Sequence, residues 1–266
     1  VSQLDQQEVA QFFQEAEKHR KILEQIEVVI PVRPQGGMNC HLARIVSVWY
    51  GVGVNWAHIN DHMGGFIELT RANILLNFAK NSDREYLLMI DNDMEPPVRL
   101  PYLLARHGKD CVGSCAVSLN DMWGAQLCFS VRDLAGKWRF PAMQSSPIIP
   151  AKGLIEVGHA GTGAMLISRK LAESFTFEQG DVPFYVPEEQ RINGGETGRL
   201  LVGEDISFCN QARKKGFNVY VDLEAHVGHR KSIVLDWPKE NRSEEMDPDS
   251  WVLPEKGHLF SDGAID

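Results

Sequence analysis

The chain has 266 residues, 43% hydrophobic and 24% charged, an ordinary balance for a globular protein holding one large or two small α/β domains. A formal net charge of -9 excludes broad electrostatic binding to nucleic acid or to an anionic membrane and leaves room only for local basic patches. No apolar run is long enough to span a bilayer, no signal peptide is legible, and Cys40, Cys111, Cys115, Cys128 and Cys209 lack a zinc spacing, so reduced thiols in a cytoplasmic protein are expected.

Taken in chain order, Leu4 to Ile26 reads as an amphipathic helix with Leu4, Phe12, Phe13, Ala16, Leu23 and Ile26 on its apolar side. Packing of this helix (residues 1–27) on the following domain is expected, with a homodimer contact as the lesser alternative. Val28 to Val32 is a short buried strand, and Asn39 is placed to cap a helix running to Tyr50. A strand at Val54 to Ile59, a helix at Phe66 to Lys80 and a strand at Tyr86 to Ile90 continue the alternation that indicates parallel β-α-β units. A helix over Val98 to His107 and a strand over Cys111 to Leu119 follow. Trp123 to Arg132 and Lys137 to Phe140 read as an antiparallel hairpin, Ile155 to Ile167 is glycine-punctuated, and Ser168 to Ser174 is a short helix. Phe177 to Val202 is a long polar loop, a type that is usually functional or disordered. Glu204 to Lys215 reads as a helix, Phe217 to Asp222 as a strand, and 232–266 as a charged tail.

The chemistry-bearing signals stand at the ends of these elements. The apolar run Tyr86 to Ile90 ends in Asp91-Asn92-Asp93, and Pro96-Pro97 then stops the strand. Open α/β sheets place ligands beyond the carboxyl ends of their strands, and two unpaired carboxylates this close repel unless a cation joins them. A metal site is expected there; the plainer alternative is a solvated acidic turn. Glu204-Asp205 opens a helix, where acids are favoured by the macrodipole for capping alone, or where one of them faces a cleft as a general base kept ionised by helix-start amides. His226 and His229 follow a predicted strand and could complete a carboxylate metal site, His229 being preferred; imidazole with carboxylates suits manganese better than calcium. The glycines of His159-Ala160-Gly161-Thr162-Gly163 permit close backbone approach but lack the dinucleotide fingerprint, and Gly36-Gly37 is no P-loop. Arg71, in the helix before the Asp-x-Asp strand, is either a phosphate grip or a helix arginine in an ion pair.

In this order the motifs resemble nucleotide-sugar-dependent glycosyltransferases of the GT-A fold, over roughly residues 28–230. The resemblance implies a Rossmann-like, mostly parallel sheet flanked by helices with a small antiparallel hairpin region, forming a domain over 28–231. It implies a nucleoside-diphosphate-sugar donor bound against Pro31, Arg33, Arg71, Asp91 and Asn92. A divalent ion, Mn2+ or Mg2+, would sit on Asp91, Asp93 and His229. The acceptor, a hydroxyl on a glycan, lipid-linked sugar, protein or modified base, would lie by His159, Gly161 and Gly163, with Asp205 or its neighbour Glu204 as catalytic acid-base group. Inversion is slightly favoured over retention. The loop 177–202 and the tail 232–266 resemble segments that close over such sites. The alternatives are a sugar nucleotidyltransferase, which should carry a glycine-rich basic loop after the first strand, and a nucleotide-sugar-binding module without turnover. A metal-dependent phosphoesterase is disfavoured for want of ligands for two metals.

Overall fold

A computed structural model describes residues 6–32, 38–60, 67–120, 124–132, 136–140, 152–178, 181–185 and 203–230. Arg33, most of the 177–202 loop and the 232–266 tail lie outside the described residues, as do Leu4, Phe66 and Trp123. The chain divides into two compact units, Val1–Arg230 and Lys231–Asp266, and every described residue belongs to the first.

The elements are α1 (Gln6–Leu23), β1 (Ile26–Val32), α2 (Cys40–Gly51), β2 (Asn55–Asn60), α3 (Ile67–Asn81), β3 (Tyr86–Ile90), β4 (Met94–Glu95), α4 (Leu100–Ala105) and β5 (Cys111–Asn120). There follow β6 (Gly124–Leu127), β7 (Val131–Arg132), β8 (Trp138–Arg139), β9 (Leu154–Val157), β10 (Ala164–Ser168), α5 (Arg169–Glu173), α6 (Glu204–Lys214) and β11 (Val219–His229). The main sheet has the order β2-β1-β3-β10-β5-β11-β4, with β6 on β5 and β9 on β11. Along its centre β2, β1, β3, β5 and β11 run the same way, and β10 alone runs against its neighbours β3 and β5. This is the mostly parallel, Rossmann-like α/β sheet expected from the strand–helix alternation. The small antiparallel ribbon is β7–β8 alone, because Gly124–Leu127 folds back onto β5 instead of joining it.

Alternation within the strands builds a core on each face of the sheet. Val28, Ile30, Leu88 and Ile90 face α1, α2 and α4, meeting Phe12, Leu42, Trp49 and Leu104. Val29, Leu87, Met89 and Ile167 face α3, α5 and α6, meeting Leu75, Phe78, Leu171 and Phe208. Each fully buried large apolar side chain contributes about 1.5–3 kcal/mol, so an acid at Leu88, wholly enclosed, would break the fold. Two helix readings are corrected here. Phe13 is 43% exposed, because Phe12 and Phe13 lie about 100° apart on a helix and one stripe cannot hold both. Ile26 belongs to β1, which therefore begins two residues before the expected strand. The helix expected over Val98 to His107 is only Leu100–Ala105.

The topology puts several element ends on one edge. The chain leaves β1 to form β2 on one side and β3 on the other, which makes the carboxyl ends of β1 and β3 a switch point. Because β10 is antiparallel, its start, preceded by Gly161-Thr162-Gly163, reaches this same edge. The end of β11, carrying His229, arrives there as well.

Candidate functional site

At that edge the Asp91 N–H donates to the Gly163 carbonyl at 2.9 Å, and Met94 N–H donates back to the Asp91 carbonyl at 3.1 Å, closing a turn around Asn92 and Asp93. The chain then re-enters the sheet as β4, antiparallel to the end of β11, with Met94 opposite His229. The strand thus ends at Ile90 in a turn, and Pro96-Pro97 follows a second short strand rather than ending the first. Asn39 caps α2 by accepting from Leu42 N–H and also donates from Nδ2 to the carbonyls of Asn92 (2.8 Å) and Met94 (2.9 Å). Sequence reading found the cap but missed this second role. Pro31 is buried in β1 two residues past the last β1–β3 pair, Val29 with Met89, and stays in register with Ile59 of β2.

The histidines occupy a different setting from that expected. β11 does not stop at Asp222; its register shifts between Asp222 and His226 and the strand continues to His229, so both histidines lie within it. His226 is exposed, whereas His229 turns Nε2 to Asp93 Oδ2 at 3.1 Å. Arg230 N–H donates to the Asp93 carbonyl at 2.9 Å, and its guanidinium grips Glu95, whose carboxyl is held below its usual range by that hydrogen bond. The two acids of Asp91-Asn92-Asp93 are therefore not an unpaired couple. Asp93 goes to His229, and Asp91 goes inward to Arg71 at 3.0 Å.

Arg71 gathers three segments. Its side chain is 4% exposed; Nη2 contacts Asp91 at 3.0 Å, Nη1 donates to the Thr162 carbonyl at 3.4 Å, and Nε lies 3.5 Å from Glu204 Oε1. Asp205 Oδ1 accepts from Ile206 N–H at 2.7 Å, and Oδ2 faces Gly161, where an added Cβ would stand 4.0 Å away. A Cβ on Gly203 would come within 2.7 Å of Asp205 Oδ1, so the glycine leaves room for this carboxylate at the start of α6. Burial raises the pKa of Asp205 against the opposing hydrogen bond from Ile206, and burial raises that of Glu204 against the attraction of Arg71. At Asp205 desolvation outweighs the one hydrogen bond to the charged form.

Gly163 lies against Met94, and Gly161 donates its N–H to the Cys128 carbonyl at 2.6 Å. His159 is set farther along α6, between Ser130 Oγ (2.9 Å from Nδ1) and Asn210 Oδ1 (3.1 Å from Nε2), with Phe140 stacked on its ring. Burial lowers its pKa, and both ring nitrogens of this half-buried histidine have partners.

For a divalent ion, Asp93 and His229 supply an oxygen and an imidazole nitrogen side by side, and His229 Nδ1 is buried without a hydrogen-bond partner, while Asp91 Oδ1 lies 3.0 Å from Arg71 Nη2. That donor chemistry suits Mn2+ or Mg2+. Among the described residues no group of three or more His, Cys, Asp or Glu is placed to hold a metal. No described helix is long and apolar enough to cross a membrane.

No protein-family model matches the sequence, and no curated protein matches it. Among solved structures the chain is similar to A197 from STIV, at 13% identity and a TM-score of 0.42, over 80% of this chain and 98% of that one. It is similar to GalNAc-T7, solved with UDP, GalNAc and Mn2+, at 12% identity and a TM-score of 0.45, over 77% of this chain and 42% of that one. HddC from Yersinia pseudotuberculosis overlaps 60% of this chain and 86% of its own at 13% identity and a TM-score of 0.33. Overlaps this loose carry nothing about chemistry, which has to be argued from the residues at the edge of the sheet.

Proposed function

We propose that the chain is a metal-dependent glycosyltransferase, moving a sugar from a nucleoside-diphosphate sugar to an acceptor hydroxyl, with inversion at the anomeric carbon. The observation that supports this reading is convergence. Asp91, Glu204 and the Thr162 carbonyl, which are far apart in sequence, meet around one buried Arg71, beside the Asp93–His229 pair, at a sheet switch point. Asp93 and His229, with Asp91 behind them, would hold the ion, which when bound neutralises charge developing on the departing diphosphate. Asp205 accepts the proton of the acceptor hydroxyl. As it does so, the acceptor oxygen bonds to the anomeric carbon, and the bond from that carbon to the diphosphate oxygen breaks with its electron pair leaving on the diphosphate. Burial makes Asp205 a stronger base than a solvated aspartate. The buried Pro31 and the turn around Asn92 would floor the donor pocket.

The test is release of nucleoside diphosphate from a panel of nucleoside-diphosphate sugars with Mn2+, with and without chelator. Chelator-sensitive release from at least one donor is expected, abolished by Asp93→Ala. No binding and no release for any donor would sink the reading.

A further inference from the structure

Within that glycosyl-transfer reading, we propose that Arg71 is a positioning residue: a buried cationic bridge that fixes Asp91 at the end of β3 against Glu204 at the start of α6. It does not grip the donor phosphate. All its polar atoms face the protein, Nη2 toward Asp91, Nη1 toward the Thr162 carbonyl and Nε toward Glu204, and the side chain is 4% exposed. A guanidinium that clamps phosphate must aim its fork into the cleft. Nη2 lies 3.0 Å from both carboxylate oxygens of Asp91, and Nε, buried with no other partner, lies 3.5 Å from Glu204 Oε1. A planar fork between two carboxylates sets their separation, so the donor side of the cleft, built on β3, keeps its distance from the acceptor side, built on α6. Mispositioning of this kind lowers turnover more than ground-state affinity.

The experiment compares Arg71→Met, Arg71→Lys and Glu204→Gln with the wild-type protein, using the donor found by the panel. For Arg71→Met, kcat should fall about 100-fold while the donor KM stays within about threefold. Arg71→Lys, which keeps the charge without the fork, should recover about tenfold of that loss. A donor KM raised tenfold with kcat preserved would instead identify a phosphate grip and overturn the bridge.

A stability cycle decides the same point without activity. Glu204→Gln should raise the urea midpoint in the Arg71→Met background, because it removes a carboxylate that has lost its partner, and should lower it in wild type, where the partner is present. Equal shifts in the two backgrounds overturn the bridge. If Arg71→Met does not fold, Asp91→Asn serves as background: Arg71 then depends on Glu204, and Glu204→Gln should lower the midpoint further than in wild type, an unchanged shift again overturning it. A wild-type protein inert toward every donor defeats the glycosyl-transfer reading, and the stability cycle still judges the bridge.

Discussion

Asn39 holds Asn92 in place across the sheet edge: its Nδ2 donates to the Asn92 carbonyl at 2.8 Å and to that of Met94 at 2.9 Å, while its Oδ1 caps α2 through Leu42 N–H. One side chain thereby starts a helix and shapes the turn that carries Asp91 and Asp93. The two jobs use different atoms, so they can be separated. Asn39→Asp keeps the capping oxygen and loses both donors to the turn. It should lose about 1–3 kcal/mol of stability, because two carbonyls then face an oxygen in place of a donor, and bind Mn2+ about tenfold more weakly, as expected when a group that orients metal ligands is lost. Asn39→Ala should show the same loss of Mn2+ affinity and also lose about 1 kcal/mol of stability with the cap. Calorimetric Mn2+ titration beside urea denaturation reads both; an Asn39→Asp protein that binds Mn2+ like wild type would show that the turn holds its shape unaided.

Glu204 and Asp205 make a pH prediction whose sign is opposite to the usual acidic case. Burial raises both pKa values in the folded protein. The folded state therefore binds these protons more tightly than the unfolded chain does. Their contribution to stability is complete below the unfolded value of about 4 and is lost as pH rises through the raised folded values. Glu204→Gln and Asp205→Asn should each gain stability relative to wild type on going from pH 4 to pH 7, measured as urea midpoints. In the same window Asp205→Asn should lose transfer while retaining donor binding, since a base must be ionised to accept a proton. Loss of donor binding as well would mean that Asp205 serves the donor.

How much of this was legible follows from the physics of each signal. The two-faced apolar runs at Val28 to Val32 and Tyr86 to Ile90 announce buried strands, because local alternation and burial are written in consecutive residues. The position of Asp91 and Asp93 at a strand end followed directly. What could not be read was the partner of each acid. Asp91 pairs with Arg71 and Asp93 with His229 through the sheet order β1-β3-β10-β5-β11-β4, and the place of the antiparallel β10 in that order is a long-range fact. The extension of β11 to His229 was hidden for a related reason. Its irregularity after Asp222 breaks the pattern on which strand length is judged, and pairing resumes with β5 at His226 and Val227 and then with β4 at Gly228 and His229. The partners of His159, Ser130 and Asn210, come from segments no local pattern connects.

Trp138 supplies a prediction about the ribbon that flanks α6. Its ring is approached by the guanidinium carbons of Arg132 at 4.4 Å and Arg213 at 4.8 Å, and it lies on Gly158, where a Cβ would meet the ring at 2.4 Å. A stiff ring cannot yield as a flexible side-chain end does. Gly158→Ala should therefore cost about 1–3 kcal/mol by overpacking, seen as a lower urea midpoint. Pairing it with Trp138→Leu should return part of that loss. If Gly158→Ala is neutral, the ribbon is free to shift away from the strand that precedes it.

Asp222 provides the sharpest contrast between stability and chemistry. It is fully buried where β11 changes register, accepting from Arg106 Nη2 at 3.0 Å and from Glu224 N–H at 2.8 Å, with His107 Nε2 at 2.8 Å. These bonds fasten the end of α4 to the irregular segment of the strand that leads to His229. Arg106 keeps Glu224 Oε2 as a partner at 2.6 Å, so removing Asp222 costs the hydrogen bonds it accepts, about 1–3 kcal/mol for each that involves a charged group. Asp222→Ala should lose on that scale, whereas Asp222→Asn, which keeps an acceptor oxygen for Glu224 N–H, should lose less. Mn2+ affinity of the folded fraction should stay within about threefold of wild type in Asp222→Asn, since Asp93 and His229 meet through the β4–β11 pairing beyond the register break. A large loss of Mn2+ affinity in a stably folded Asp222→Asn protein would place the origin of the Asp93–His229 geometry at the register break itself, with Asp222 as its anchor.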